Sequence, residues 1–330
     1  MTAGARFPLA DGHADSLMWN RDLTARLRKG QLDFPRLAEA GVRIQCFTVV
    51  TRGYPVVDGM RAFGALRGWP AAARRGPWAR ALFQLDRMHA LCDRVEGAVR
   101  IAGTSAELED NLAYGRISAV LGVEGAQALE GRPERVSELR ARGVRFMSLT
   151  HLSNNELGGS SSPLMGDRPL TPLGREVVDA MAAARLSVDV AHASHRTFRD
   201  LAAQRAARLF CSHTGVTGAT RSWRNLEDAE LRVLAERGGV VGILFATIYL
   251  GGREIDDVVR HLEHALDVCG EDAVALGSDF DGIVPLPRGL RDVTDVWKVV
   301  DALARRQPAA VVEKVAWANW RRFFRETLGG

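Results

Sequence analysis

Lysine is almost missing from this chain: Lys29, Lys298 and Lys314 are the only three in 330 residues, beside 41 arginines. The net charge is +4 and the isoelectric point about 9.1. The arginines scatter among acidic residues, with no long cationic block and no recognition motif. That pattern describes solvated helix faces and argues against a nucleic-acid partner. Cysteine is scarce too. Cys46, Cys92, Cys211 and Cys269 fall at neither zinc-knuckle nor redox spacing, which excludes a disulfide framework and a thiolate metal site. Cys46 and Cys211 lie in apolar runs and read as small buried hydrophobes in a reducing compartment. No stretch approaches the about 18 uninterrupted apolar residues of a membrane span. The start, MTAGARFPLA, lacks a signal-peptide core, and the end, RRFFRETLGG, carries no lipid-anchor signal. A cytoplasmic protein with no membrane partner is expected. Internal repeats, low-complexity tracts and dividing linkers are also lacking.

What is present is the composition of a folded protein, 46% hydrophobic and 25% charged. Eight apolar runs, at 6–13, 42–50, 117–125, 144–151, 186–194, 207–213, 238–246 and 272–282, are near-continuous rather than alternating. Such runs suit parallel strands buried on both faces. Helical periodicity marks 78–95, 133–142, 172–185, 195–206, 227–237, 254–268 and 308–327. The helix at 172 opens with Thr171 before Pro172, a strong start signal. At about 150 residues per domain the length suggests two domains. Eight strands alternating with helices instead predict a single α/β domain over residues 1–330, a (β/α)8 TIM barrel of the metal-dependent hydrolase type. Two long connections, 51–77 and 152–170, are candidates for functional loops.

Chemistry gathers at the ends of the runs. His13, His151, His192 and His213 sit at or just past C-terminal strand ends, as do Asp15, Glu124 and Asp279. In a barrel those ends converge on one face. Taken singly, each has a plain explanation as a cap or turn residue. Together, in this order, four imidazoles and three carboxylates make the composition of a metal site. Asp11 and Asp281 lie close by. They either orient ligating imidazoles or close turns. Asn154, Asn155 and the serines of 158–162 read as the active-site mouth or, for the serines, as surface loop.

Eight blocks carry a resemblance: DGHAD (11–15), GVEGAQ (122–127), LTHLSNNELGGS (149–160), LTPLGREVVDAM (170–181), VDVAHAS (188–194), CSHTG (211–215), RNLED (224–228) and LGSDFDGI (276–283). In this order and over nearly the whole chain they resemble the membrane (renal) dipeptidase family, the M19 metallopeptidases of the amidohydrolase superfamily. The block AWANWRRFF (316–324) resembles the family's final motif, with Ala318 where glycine is usual.

The resemblance implies two zinc ions per chain, bridged by Glu124 and by a water or hydroxide. His13 and Asp15 would bind the first zinc, and His192 and His213 would complete the second. His151 resembles the histidine that faces the substrate carbonyl. Arg224 resembles the arginine that holds the substrate, and Asp279 the aspartate that handles the proton. The implied function is hydrolysis of dipeptides with an L- or D-residue at the C-terminus. The alternative is a member recruited to another amide or a peptide-derived natural product. A homodimer is implied as well. Residue chemistry agrees with the ligand set, since imidazole and carboxylate ligands without cysteine suit a catalytic zinc site. A non-catalytic barrel would be expected to lose ligands, and all types are present. The chain departs from the family in DSLMW (15–19), in SHTGVTGATRSWRN (212–225), and around Tyr249, whose match to a substrate-facing tyrosine is not secure. These departures bear on substrate identity.

Overall fold

The structure, a computed structural model, describes residues 7–52 and 59–329. Among the described residues nine parallel strands make one sheet: β1 (Leu9–Asp11), β2 (Val42–Val50), β3 (Val99–Ile101), β4 (Ile117–Glu124), β5 (Val144–Ser148), β6 (Ser187–Asp189), β7 (Leu209–Thr214), β8 (Val241–Ile243) and β9 (Val274–Leu276). Eight of them follow one another around a barrel in the order β1-β2-β4-β5-β6-β7-β8-β9. β3 lies outside that path, against the N-terminal half of β4. The ring closes where the Gly12 N–H donates to the Leu276 carbonyl (3.0 Å) and the Asp15 N–H to that of Phe280 (2.9 Å). This is the expected (β/α)8 barrel.

The near-continuous apolar runs acquire a reason here. Alternate residues of each strand face either the helices or the barrel interior. Val42, Ala119, Leu121, Val144 and Val188 join the large outer core. Ala10, Ile44, Cys46, Val120, Phe146, Phe210 and Ala275 form a second cluster with Trp320, Phe323 and Phe324 of the last helix, Asn319–Thr327. The C-terminal helix thus plugs the end opposite the strand C-termini. The Trp320 indole donates to the Leu276 carbonyl at 2.7 Å. A Cβ at Gly12 would lie 2.3 Å from the Trp320 ring and 2.6 Å from the Ser212 carbonyl. Only glycine permits that approach, one residue before His13.

The helices begin where side chains satisfy their first free N–H groups. Thr171 accepts from the Gly174 N–H (3.0 Å), with Pro172 next, as expected. The Ser194 hydroxyl caps His195–Ala203 in the same way.

Several elements differ from expectation. β6, β8 and β9 are three residues each, far shorter than the runs at 186–194, 238–246 and 272–282. At two of those ends the backbone leaves the sheet. His192, Asp279 and Asp281 have φ of 65°, 64° and 66°, a left-handed conformation that cannot continue a ladder. The helix expected at 308–327 is broken by a π-turn at Lys314–Ala318, after which Asn319 donates to the carbonyls of Glu271 and Val274, both at 2.8 Å. β3 and the helices Phe34–Ala40, Ser105–Ala113 and Trp297–Ala304 were not anticipated. Within the 51–77 connection lies a helix, Gly59–Leu66; residues 53–58 of it, and Arg6 of the first run, fall outside the described residues. Among the described residues no helix is long and apolar enough to cross a membrane.

Candidate metal centre

The strand ends deliver their side chains to one small volume. Glu124, the last residue of β4, is at the centre. Its Oε1 lies 3.0 Å from His192 Nε2, 3.5 Å from His213 Nε2 and 3.7 Å from His13 Nε2. Its Oε2 lies 3.5 Å from His151 Nε2. His192 Nε2 and His213 Nε2 are 3.1 Å apart, and His13 Nε2 is 3.3 Å from Asp15 Oδ1. All of these side chains except His151 are buried. Three groups bring ligand atoms within 4.8 Å of one another: His13, Asp15 and Asp279; Glu124, His192 and His213; and His13, Asp189 and His213.

These distances fit metal ions. Ligands at about 2.0–2.1 Å around a tetrahedral ion stand about 3.3 Å apart, close to the separations among Glu124, His192 and His213. Glu124 Oε2 is buried and accepts no hydrogen bond, an orphaned acceptor that a cation would satisfy.

The family model for membrane dipeptidases (peptidase family M19) matches residues 3–328. The chain belongs to that family. Its members are hydrolases, and a metal cofactor comes with the family. Dipeptidase aclJ of Aspergillus oryzae is 28% identical over 324 residues, 91% of this chain and 73% of that protein. A metallopeptidase from Rhodobacter sphaeroides, solved with a phosphinate mimic of the dipeptide L-Ala-D-Ala, is 27% identical; the match covers 97% of this chain and 99% of that one, with a TM-score of 0.86. Dipeptidase AC, an M19 metallopeptidase, is 26% identical over 98% of this chain and 99% of its own, with a TM-score of 0.84.

Within this cluster, the surroundings set the charge of each group. Burial, then the guanidinium of Arg224 and neighbouring imidazoles, push His192 well below the usual histidine range. Burial does the same to His213, with His13 the next cause. Both rings are neutral and carry a free lone pair, the form that binds metal. Burial opposes charge on His13 as well, but the Asp15 and Glu124 carboxylates outweigh it and raise the ring to about 10. Burial, reinforced by Asp15, pushes Glu124 up to about 8. Burial raises Asp279 to about 7; Asp15 and Glu124 add to the rise and His13 opposes it. Without a cation the carboxylates therefore compete for protons, and a divalent ion would replace those protons.

The loops hold these groups in place. Thr48 of β2 donates to Asp15 Oδ1 (2.7 Å). Ser160 Oγ donates to the His151 carbonyl (2.5 Å), and the Ser161 N–H to that of His192 (2.8 Å). The serines of 158–162 are thus tied to the site rather than being loose surface. Asn154 accepts from the Ser160 N–H and Asn155 from those of Leu157 and Gly158, which shapes the same loop. Arg224 is buried and donates to the His213 carbonyl at 2.7 Å. Tyr249 packs edge-on against Trp223, next to Arg224 in sequence.

Neither Asp11 nor Asp281 touches a ligating ring. Asp11 accepts from Ser278 (N and Oγ, both 2.7 Å) and from Gln45 (2.8 Å). Asp281 joins Ser16, Gln31 and Arg21. On the Nδ1 side of the rings the nearby carboxylate is Asp189, which meets them through the Ser212 hydroxyl and which the sequence reading missed. It lies three residues before His192 at a strand end, and that position was the available signal.

Proposed function

We propose that this chain is a dinuclear zinc dipeptidase that hydrolyses the peptide bond of dipeptides. One observation carries the reading: the buried Glu124 carboxylate stands between a His13–Asp15 pair and a His192–His213 pair. His13 and Asp15 would hold one zinc, His192 and His213 the other, with Glu124 shared. Bound there, the metals supply Lewis-acid polarisation and a water of lowered pKa.

The chain's own residues supply the rest. Asp279, buried beside His13 and Asp15, is the carboxyl placed to take a proton from the nucleophile and pass it to the departing amine. His151 is held by the Arg52 carbonyl at Nδ1 (3.0 Å). An acceptor there keeps a proton on Nδ1. Nε2 therefore donates to a developing oxyanion only in the doubly protonated ring. Burial holds the ring below the usual histidine range against the Arg52 bond and the Asp15 and Asp279 carboxylates, so the negative charge that develops on the substrate oxygen has to draw the second proton in. Arg224 is the carboxylate anchor. One amino group is committed to the His213 carbonyl, and the planar fork offers further donors to the substrate's terminal carboxylate. That anchor selects short peptides.

The test is hydrolysis of L,L- and L,D-dipeptides and of matching tripeptides by the zinc-loaded protein. Cleavage of dipeptides alone is the expected result. Folded protein with two metals that cleaves no dipeptide would overturn the reading in favour of another amide substrate.

A further inference from the structure

Ser212, the residue before His213 in β7, is fully buried. Its hydroxyl has three neighbours: Asp189 Oδ2 at 2.5 Å, His213 Nδ1 at 2.8 Å and His13 Nδ1 at 3.2 Å. A serine hydroxyl has one hydrogen to donate and two lone pairs to accept with. The count matches the neighbours in one arrangement. Asp189 Oδ2 takes the hydrogen. The two lone pairs then accept an N–H from each imidazole. Once a cation takes the place of the proton that Asp15 and Glu124 hold on His13, both rings carry their remaining proton on Nδ1 and present a bare Nε2 on the Glu124 side.

We propose that Ser212, aimed by Asp189, is a positioning residue that fixes His13 and His213 in the same metal-binding tautomer, so that one hydroxyl couples the two halves of the metal site. The inference rests on the two-metal reading above. His13 belongs to one half and His213 to the other, and no other hydroxyl among the described residues is bonded to Nδ1 of both. His192 differs: its Nδ1 is buried without a hydrogen-bond partner.

Asp189 is itself fixed. Its Oδ1 accepts from the backbone N–H groups of Ser212 (2.9 Å) and Ala191 (3.0 Å). This gives two substitutions different signatures. In Ser212→Ala both Nδ1–H groups lose their acceptor, and zinc affinity falls at both positions by about 10–100-fold. In Asp189→Asn the amide oxygen stays on the two backbone N–H groups and the NH2 faces Ser212. The hydroxyl, now accepting from that NH2, must give its own hydrogen to one imidazole. That ring shifts its proton to Nε2 and can no longer bind through it. One zinc is then held weakly and the other as before.

The experiment is a competitive zinc titration against a chromophoric chelator for wild type, Ser212→Ala and Asp189→Asn, with ring nitrogen NMR of the zinc-loaded wild type. Both substitutions are isosteric or smaller, circular dichroism is the folding control, and the wild-type spectrum needs no variant. Expected are Nδ1–H signals from both His13 and His213, two weakened zincs in Ser212→Ala and one in Asp189→Asn. A proton on Nε2 of either ring, or Ser212→Ala that binds two zincs as tightly as wild type, would overturn the coupling alone. Wild type that holds fewer than two zinc ions would overturn the two-metal reading and the coupling with it.

Discussion

Asp279→Asn separates proton transfer from metal binding. The side chain sits at φ 64°, a conformation asparagine adopts as readily as aspartate. Its backbone N–H donates to the His13 carbonyl and its carbonyl accepts from Gly282, both at 3.2 Å, and neither bond involves the carboxyl. A Cβ at Gly282 would come within 2.1 Å of Asp279 Oδ1, so the carboxyl packs against bare backbone that an amide of the same shape also fits. Fold and ring positions should survive. What disappears is a buried carboxyl able to take up and release a proton, and an amide does neither. Loss of a positioned acid–base typically costs about 10²–10⁴-fold, or about 2.7–5.5 kcal/mol in the barrier. The assay is kcat on a cleaved dipeptide beside metal content by elemental analysis. A loss above a hundredfold with metal content intact is expected. Turnover within tenfold of wild type would refute Asp279 as the proton carrier. Loss of one metal equivalent would make it a ligand instead, as its grouping with His13 and Asp15 allows.

Other outcomes follow from the same structure. Arg224→Ala should cost about 2–5 kcal/mol of substrate binding, seen as a rise in KM of about 30-fold or more with zinc content unchanged; equal loss of zinc would mean its bond to the His213 carbonyl is its main task. Trp320→Ala opens the barrel plug and removes the bond to Leu276, so urea unfolding should show a loss of about 3–5 kcal/mol, and a loss below about 1 kcal/mol would place the plug's stability elsewhere. His195 is raised to about 8, first by its hydrogen bond to Glu230. Its contribution is full below the unfolded value of about 6.5 and fades as pH rises through about 8. The Tm advantage over His195→Gln should therefore be about 1–2 °C or less at pH 6, given the exposure of the ring, and vanish by pH 9; an advantage that grows with pH would contradict the assignment.

The barrel and the cluster of imidazoles and carboxylates at its mouth were legible for a common reason. Strand ends in this fold meet at one face, so His13, Glu124, His192, His213 and Asp279 could be gathered from residue type and order alone. The short elements were not legible. β3 has three residues, too few to show a period, and three residues past the ends of β6 and β9 the backbone turns left-handed at His192 and Asp279, which an apolar run does not reveal. The Asp189–Ser212 pair left no compositional mark. Its meaning depends on a distance between residues 23 apart in the chain and on the proton count of one hydroxyl. Asp11 and Asp281, close to the ligands in sequence, turned out to brace backbone and loops instead.

The most direct test of the central claim is anomalous diffraction at the zinc edge from crystals grown with zinc. The account predicts two peaks, one between His13 and Asp15 and one between His192 and His213, each within bonding distance of a Glu124 oxygen. A single peak, or two peaks that do not share Glu124, would contradict it.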